Sequence, residues 1–137
     1  MGRWGAGNFD DDLARDYLAD IVARFEQFIE RILAGDMPEE ARGMNLLDAG
    51  ECYLLPTIEI ICVLHETLGC DYLPEPGAVA RWAEEYPSRA EPLMEKLDPA
   101  MYHVYYVSKR RPVVQATFER MLRLSRALHE GNEQTAY

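Results

Sequence analysis

The sequence predicts an all-α, single-domain helical bundle of about five or six helices, and three observations carry that prediction. Apolar residues recur at steps of three and four through the first 34 positions. The run from Leu46 to Leu68 is apolar nearly all round. The same three-and-four spacing returns in the last third, from Val114 to Leu128. A long N-terminal helix packed on a buried central helix is the arrangement such segments favour.

The elements follow in order. Phe9, Leu13, Tyr17, Ile21, Phe25, Ile29 and Ile32 mark one amphipathic helix over about 10–34, which Gly35 and Pro38 end. PEEARGMN reads as a loop. The 46–68 segment gathers Glu51, Glu59 and Glu66 on one side and carries Pro56 inside it, so a kink or break is expected near Cys52–Leu55. Its β-branched Ile58, Ile60, Ile61 and Val63 also suit a strand, and length argues for helix. CDYLPEPG is a second loop, followed by a short helix over about 77–86 with Val79, Trp82 and Ala83 inward. Pro87, Pro92 and Pro99 then divide the chain into short pieces. AEPLMEKL and DPAMYHVYYVSK each offer a helix start, the second capped by Asp98, while residues 101–107 stay open between helix and strand. The last helix runs over about 113–130 with Val114, Phe118, Met121, Leu122, Ser125 and Leu128 inward. Gly131 stops it, which leaves 1–131 as one helical domain, 1–9 as a glycine-rich arm and 132–137 as a loose tail.

Composition narrows the function classes. The chain of 137 residues is 48% hydrophobic and 28% charged, with a net charge of −10. That balance opposes general nucleic-acid binding, which needs a basic surface. No apolar run reaches the roughly 20 residues of a membrane span, and the start lacks a signal-peptide core. Cys52, Cys62 and Cys70 fit neither a disulfide framework nor a common zinc spacing, so reduced thiols in a cytoplasm are expected. The charge is uneven. Residues 1–108 hold 8 basic and 21 acidic side chains, a balance of −13, and residues 109–137 hold 6 basic and 3 acidic, a balance of +3. Two regions of opposite sign attract each other, or a partner.

The opening MGRWGAGNFDDDLARD reads as a jointed lid. Gly2, Gly5 and Gly7 permit a tight path through positive φ and close backbone approach. Trp4 is expected to carry about 200 Å² of surface into the core, with Phe9 packing on Leu13 beside it. Asn8 or Asp10 caps the helix, and Asp11 and Asp12 face the positive end of its dipole. Capping accounts for one or two carboxylates, yet Asp10, Asp11, Asp12 and Asp16 make four. Arg3, the Gly2 amine, the basic C-terminal segment or a metal are the candidate counter-charges.

These residues resemble the N-terminal signature of the bacterial family called domain of unknown function 4259, roughly M-G-x-W-G-x-G-x-F-D-x-D-x-x-x-D. The match falls on Met1, Gly2, Trp4, Gly5, Gly7, Phe9, Asp10, Asp12 and Asp16. The apolar helix with Glu59, the proline loop and Trp82 are similar in layout, so the resemblance covers about the first 85 residues. The part from Pro87 onward is divergent, and Pro56 is unusual for that helix. The resemblance implies a bacterial source and no catalytic role.

Other constellations have simpler structural readings. His65-Glu66 is half of a zinc-protease HExxH motif, with Gly69 where the second histidine belongs. A core histidine bonded to one carboxylate is the preferred reading. Glu51, Glu59 and Glu66 are expected to pair with Arg81 or with arginines of the last helix. Tyr102, His103, Tyr105 and Tyr106 before Lys109, Arg110 and Arg111 read as a helix surface or a protein contact. The sequence thus points to a non-enzymatic interaction domain, inhibitor- or immunity-like, without cofactor. Its acidic surface, with Asp10, Asp12, Asp16 and Glu59, would meet a basic protein. The alternative is a small metal-dependent hydrolase using the Asp cluster, with Asp12, Asp16 and His65 as candidate ligands.

Overall fold

The computed structural model describes residues 2–135; Met1 and residues 136–137 of the expected tail lie outside the described residues. The described residues form an all-α bundle of four helices rather than five or six. Helix α1 is Asp12–Ala34. Helix α2 spans 46–68, helix α3 is Pro76–Leu97, and helix α4 spans 99–135. Among the described residues there is no strand, only an isolated antiparallel bridge between Arg3 and Asp11.

Helix α1 starts where Asp11 accepts the Ala14 amide at 3.0 Å, and it ends on Gly35 at φ 80°. Its core face is Leu18, Val22, Ile29, Ile32 and Leu33. Leu13 and Tyr17, expected inward, are exposed. The reason is geometric. At about 100° per residue, a run of exact four-residue steps gains about 40° each time, so Phe9–Leu13–Tyr17–Ile21–Phe25 winds around the helix rather than along one face.

Helix α2 neither breaks nor becomes a strand. It opens with an α-turn, Leu46–Ala49, capped by Asn45 on the Asp48 amide at 2.8 Å. A π-turn, Gly50–Leu54, follows, in which the Leu55 N–H reaches the Gly50 carbonyl five residues back. Pro56 then sits in the first turn of the α-segment Leu55–Leu68. The wider turn accommodates a residue that lacks an N–H and crowds the carbonyl four residues behind it. Gly50 is buried under the Tyr86 ring of α3.

Helix α3 corrects the expected 77–86 helix. It continues through Pro87 and Pro92 to Leu97, so AEPLMEKL starts no new helix. Its buried face of Val79, Trp82, Tyr86 and Ala90 holds it together while Pro87 is half-buried and Pro92 faces solvent; packing outweighs propensity here. Asp98 turns the chain and caps Met101 at 3.1 Å, as expected.

Helix α4 is longer than 113–130. Pro99–Met101 leads into a nine-residue π-segment, Tyr102–Arg110, which resolves 101–107 as helical, and then into Arg111–Thr135. The helix passes Gly131 without stopping. Val114, Phe118, Met121 and Ser125 face the core. Helix α2 lies between α1 and α4 and packs on both; α3 closes the bundle against α4 and the start of α2, and touches α1 more lightly.

Candidate interaction surface

The arm before α1 is a compact turn laid back on itself. The Trp4 amide donates to the Asp10 carbonyl at 2.9 Å, and the Asp12 amide to the Gly2 carbonyl at 3.3 Å. Arg3 donates to the Gly7 carbonyl at 3.1 Å and pairs with the Asp11 carboxylate at 2.8 Å. Asp10 accepts the Gly7 amide at 2.8 Å, and Asp12 accepts the Gly2 amide at 3.3 Å. Three of the four carboxylates therefore serve the arm, and Arg3 is the cation beside them. The Asp16 carboxylate makes no hydrogen bond or ion pair with any other described residue.

Gly5 and Gly7 are required for a different reason than backbone freedom. Positive φ occurs at Gly35, Gly43 and Gly69, and at neither Gly5 nor Gly7. A Cβ on Gly5 would lie 2.5 Å from Asp10 Oδ2, and one on Gly7 2.7 Å from the same atom. The two glycines form a cradle for the Asp10 side chain. Replacing Gly7 with alanine is expected to displace the Asp10 carboxylate from the Gly7 amide at a local cost of about 1 kcal/mol. Amide exchange at Trp4 and Gly7 reads this directly. Combining the change with Asp10→Ala should cost less than the two singly, and strict additivity would refute the cradle.

The aromatic pair is divided. Phe9 is half-buried against the core, but Trp4, expected inside, is 58% exposed. The arm is too short and too tightly tied to Asp10 and Asp12 to carry the indole over the end of the bundle. Leu13 is 63% and Tyr17 58% exposed on the outer side of α1. Asp16 and Asp20 lie between and after them, both exposed.

Elsewhere the uneven charge is neutralised in part within the chain, at three of the six basic residues of 109–137; Lys109, Arg123 and Arg126 are exposed without an ion pair to a described residue. Arg110 holds Glu51 through both carboxylate oxygens, with Nε at 3.0 and 3.2 Å. Arg111 grips Glu91, which also accepts the Tyr102 hydroxyl at 3.0 Å. Arg120 pairs with Glu66 at 2.6 Å. Glu51, half-buried, and Glu66, exposed, thus both meet arginines of the last helix. Glu59 is exposed at the rim of a groove of about 340 Å³ with Pro112, Val113, Ala116, Thr117 and Arg120, and makes no ion pair with a described residue.

His65 bonds the Cys70 carbonyl at 3.0 Å, not a carboxylate. Its partner is the backbone of the loop after α2, which returns within five residues. No group of three or more His, Cys, Asp and Glu side chains among the described residues is placed to hold a metal ion, so Asp12, Asp16 and His65 are not gathered into one centre. Cys62 and Cys70 are buried and Cys52 is exposed. Burial pushes the Cys62 thiol up to about 11, so it is not a nucleophile at neutral pH. Among the described residues no helix is long and apolar enough to cross a membrane.

Sequence reasoning missed the contact between Gly50 and Tyr86. An isolated glycine inside an apolar run was the available signal, since it marks close approach of another element. It also missed that α1 presents a second, outward stripe at Leu13, Asp16, Tyr17, Asp20 and Arg24, all exposed.

No protein family, curated protein or solved structure matches this chain.

Proposed function

We propose that this chain is a protein-interaction domain whose acidic surface engages a basic protein, as an inhibitor or immunity-type partner does. The observation that carries this reading is the fate of the charges. Arg110, Arg111 and Arg120 are held by Glu51, Glu91 and Glu66, while Asp16, Asp20 and Glu59 remain exposed without a counter-charge among the described residues. With a net charge of −10, these outward carboxylates add to an acidic field that speeds and selects cationic partners. Membership in the family domain of unknown function 4259 belongs to this proposal, as does a bacterial cytoplasmic setting. The interlocking of Gly5, Gly7 and Asp10 supports it by giving the signature residues one shared structural task.

The test is binding of the full chain to poly-lysine and to basic proteins across a salt series. Affinity is expected to fall by about tenfold or more between low and high salt, as charge screening requires. Absence of binding at low salt, or binding indifferent to salt, removes the reading.

A further inference from the structure

We propose that the arm and the outer stripe of α1 form one docking surface for a cationic amphipathic segment of a partner protein, with Trp4, Leu13 and Tyr17 as anchors and Asp16 and Asp20 as charge partners. This rests on the basic-partner reading above and assigns it a place. The stripe positions fall at steps of three, one, three and four from Leu13, so the apolar and acidic side chains alternate along one side of the helix. Leu13 and Tyr17 stand one turn apart, with Asp16 and Asp20 in the gaps. Arg24 ends the acidic stretch. The arm returns the Trp4 backbone to the start of α1, where its amide is bonded to the Asp10 carbonyl two residues before the helix begins, and the Trp4 side chain is exposed there.

Three features distinguish this surface from the other exposed apolar residues. The backbone that carries Trp4 is fixed by the Asp10 cradle, the Arg3–Asp11 pair and the Gly2–Asp12 bonds, so presenting the indole costs little ordering on binding. Tryptophan and tyrosine are the residues that most often dominate interface energetics. Between Leu13 and Asp20 the unpaired charge is acidic, since Arg3 is turned to Asp11 and Arg15 is held by Asp71, and Arg24 stands one turn beyond Asp20. By contrast, Leu97 and Val104 at the turn between α3 and α4 lie near Lys96, Lys109 and Glu95, where the sign is mixed. An apolar segment with lysines or arginines at helical spacing matches the α1 stripe in both respects.

The chain supplies its own reporter, for Trp4 is exposed and Trp82 is fully buried. The probe is a labelled amphipathic peptide of leucine and lysine at helical spacing, titrated onto the full chain. Binding is expected to shield Trp4 from acrylamide quenching while Trp82 stays unquenched throughout. Trp4→Ala, Leu13→Ala and Tyr17→Ala are each expected to weaken peptide binding about tenfold by anisotropy, with unchanged helical circular dichroism. Asp16→Asn with Asp20→Asn should weaken it and flatten its salt dependence. Leu97→Ala with Val104→Ala should leave it within about twofold. Peptide binding with Trp4 still quenchable and the α1 variants unaffected overturns this surface and leaves the basic-partner reading standing. Failure of both this peptide and poly-lysine to bind ends the two together. Shielding of Trp4 that rises with protein concentration alone means that a second copy occupies the surface, which also overturns the proposal.

Discussion

Replacing Gly50 with alanine is expected to lower stability by about 3 kcal/mol or more, because the added methyl has nowhere to go. A Cβ there would lie 2.0 Å from Tyr86 Cε1 and 2.3 Å from its Cζ. The ring cannot withdraw easily, since Tyr86 is fully buried and packs against Phe118 with centroids 6.4 Å apart. The π-turn at Gly50–Leu54 and the ring therefore define one another. Denaturant unfolding followed by circular dichroism measures the loss. Tyr86→Phe is expected to move the other way, by about 1 kcal/mol, because the Tyr86 hydroxyl is buried without a hydrogen-bond partner among the described residues. Tyr86→Leu in the alanine background should recover part of the loss through coupling across the contact. A Gly50→Ala variant of ordinary stability would mean that α2 and α3 do not approach this closely.

Much of the architecture was legible because burial imposes periodicity. The 46–68 segment could be placed at the centre from its apolar circumference, and of its three glutamates, expected on Arg81 or the last helix's arginines, Glu51 and Glu66 meet arginines of α4 while Glu59 pairs with neither and Arg81 holds Glu30. The caps at Gly35 and Asp98 followed from residue chemistry. Three features were not legible, each for a physical reason. Prolines 87 and 92 read as breaks because propensity is local, whereas the burial of Trp82, Tyr86 and Ala90 on the same helix is a tertiary effect. The π-segments leave no compositional trace, since they answer the fit between helices. Trp4 read as core because large aromatics are on average buried, a tendency that ignores how short and tightly tied its tether is. The glycines were singled out correctly and explained wrongly. The task of Gly5 and Gly7 is to leave room for a carboxylate, which becomes visible only when Asp10 is seen folded back over them; a Cβ on Gly2 would meet nothing.

The loop between α2 and α3 is the second place where one side chain carries much of the structure, and Arg15→Met is expected to cost about 2–3 kcal/mol. The Arg15 guanidinium reaches from α1 to the Leu68 carbonyl at 3.0 Å, to the Gly69 carbonyl, and to Asp71 through Nε at 3.0 Å and Nη2 at 2.6 Å. Other elements pin the same loop: Glu26 accepts the Tyr72 hydroxyl, Ser125 bonds the Pro74 carbonyl at 2.5 Å, and His129 the Leu73 carbonyl at 3.2 Å. Arg15 stands out because it satisfies carbonyls at the end of α2 that no helical amide reaches. The ionic share is small, for Asp71 is largely exposed and solvent screens it. It is nonetheless separable by pH. The hydrogen bond from Arg15 holds the Asp71 carboxyl below its ordinary value of 3.8. A lowered folded-state value means that the contribution is complete above the ordinary value and is lost as pH falls through the lowered one. Unfolding curves collected from about pH 6 to pH 2 should therefore show an acid-side loss that Asp71→Asn and Arg15→Met both reduce. Arg15→Lys keeps the charge but not the planar fork, so it should retain the pH dependence in part while losing most of the stability. If Arg15→Lys matches the wild type, charge alone holds the loop and the carbonyl bonds contribute nothing; if Arg15→Met does so, the loop is held by Glu26, Ser125 and His129 without it.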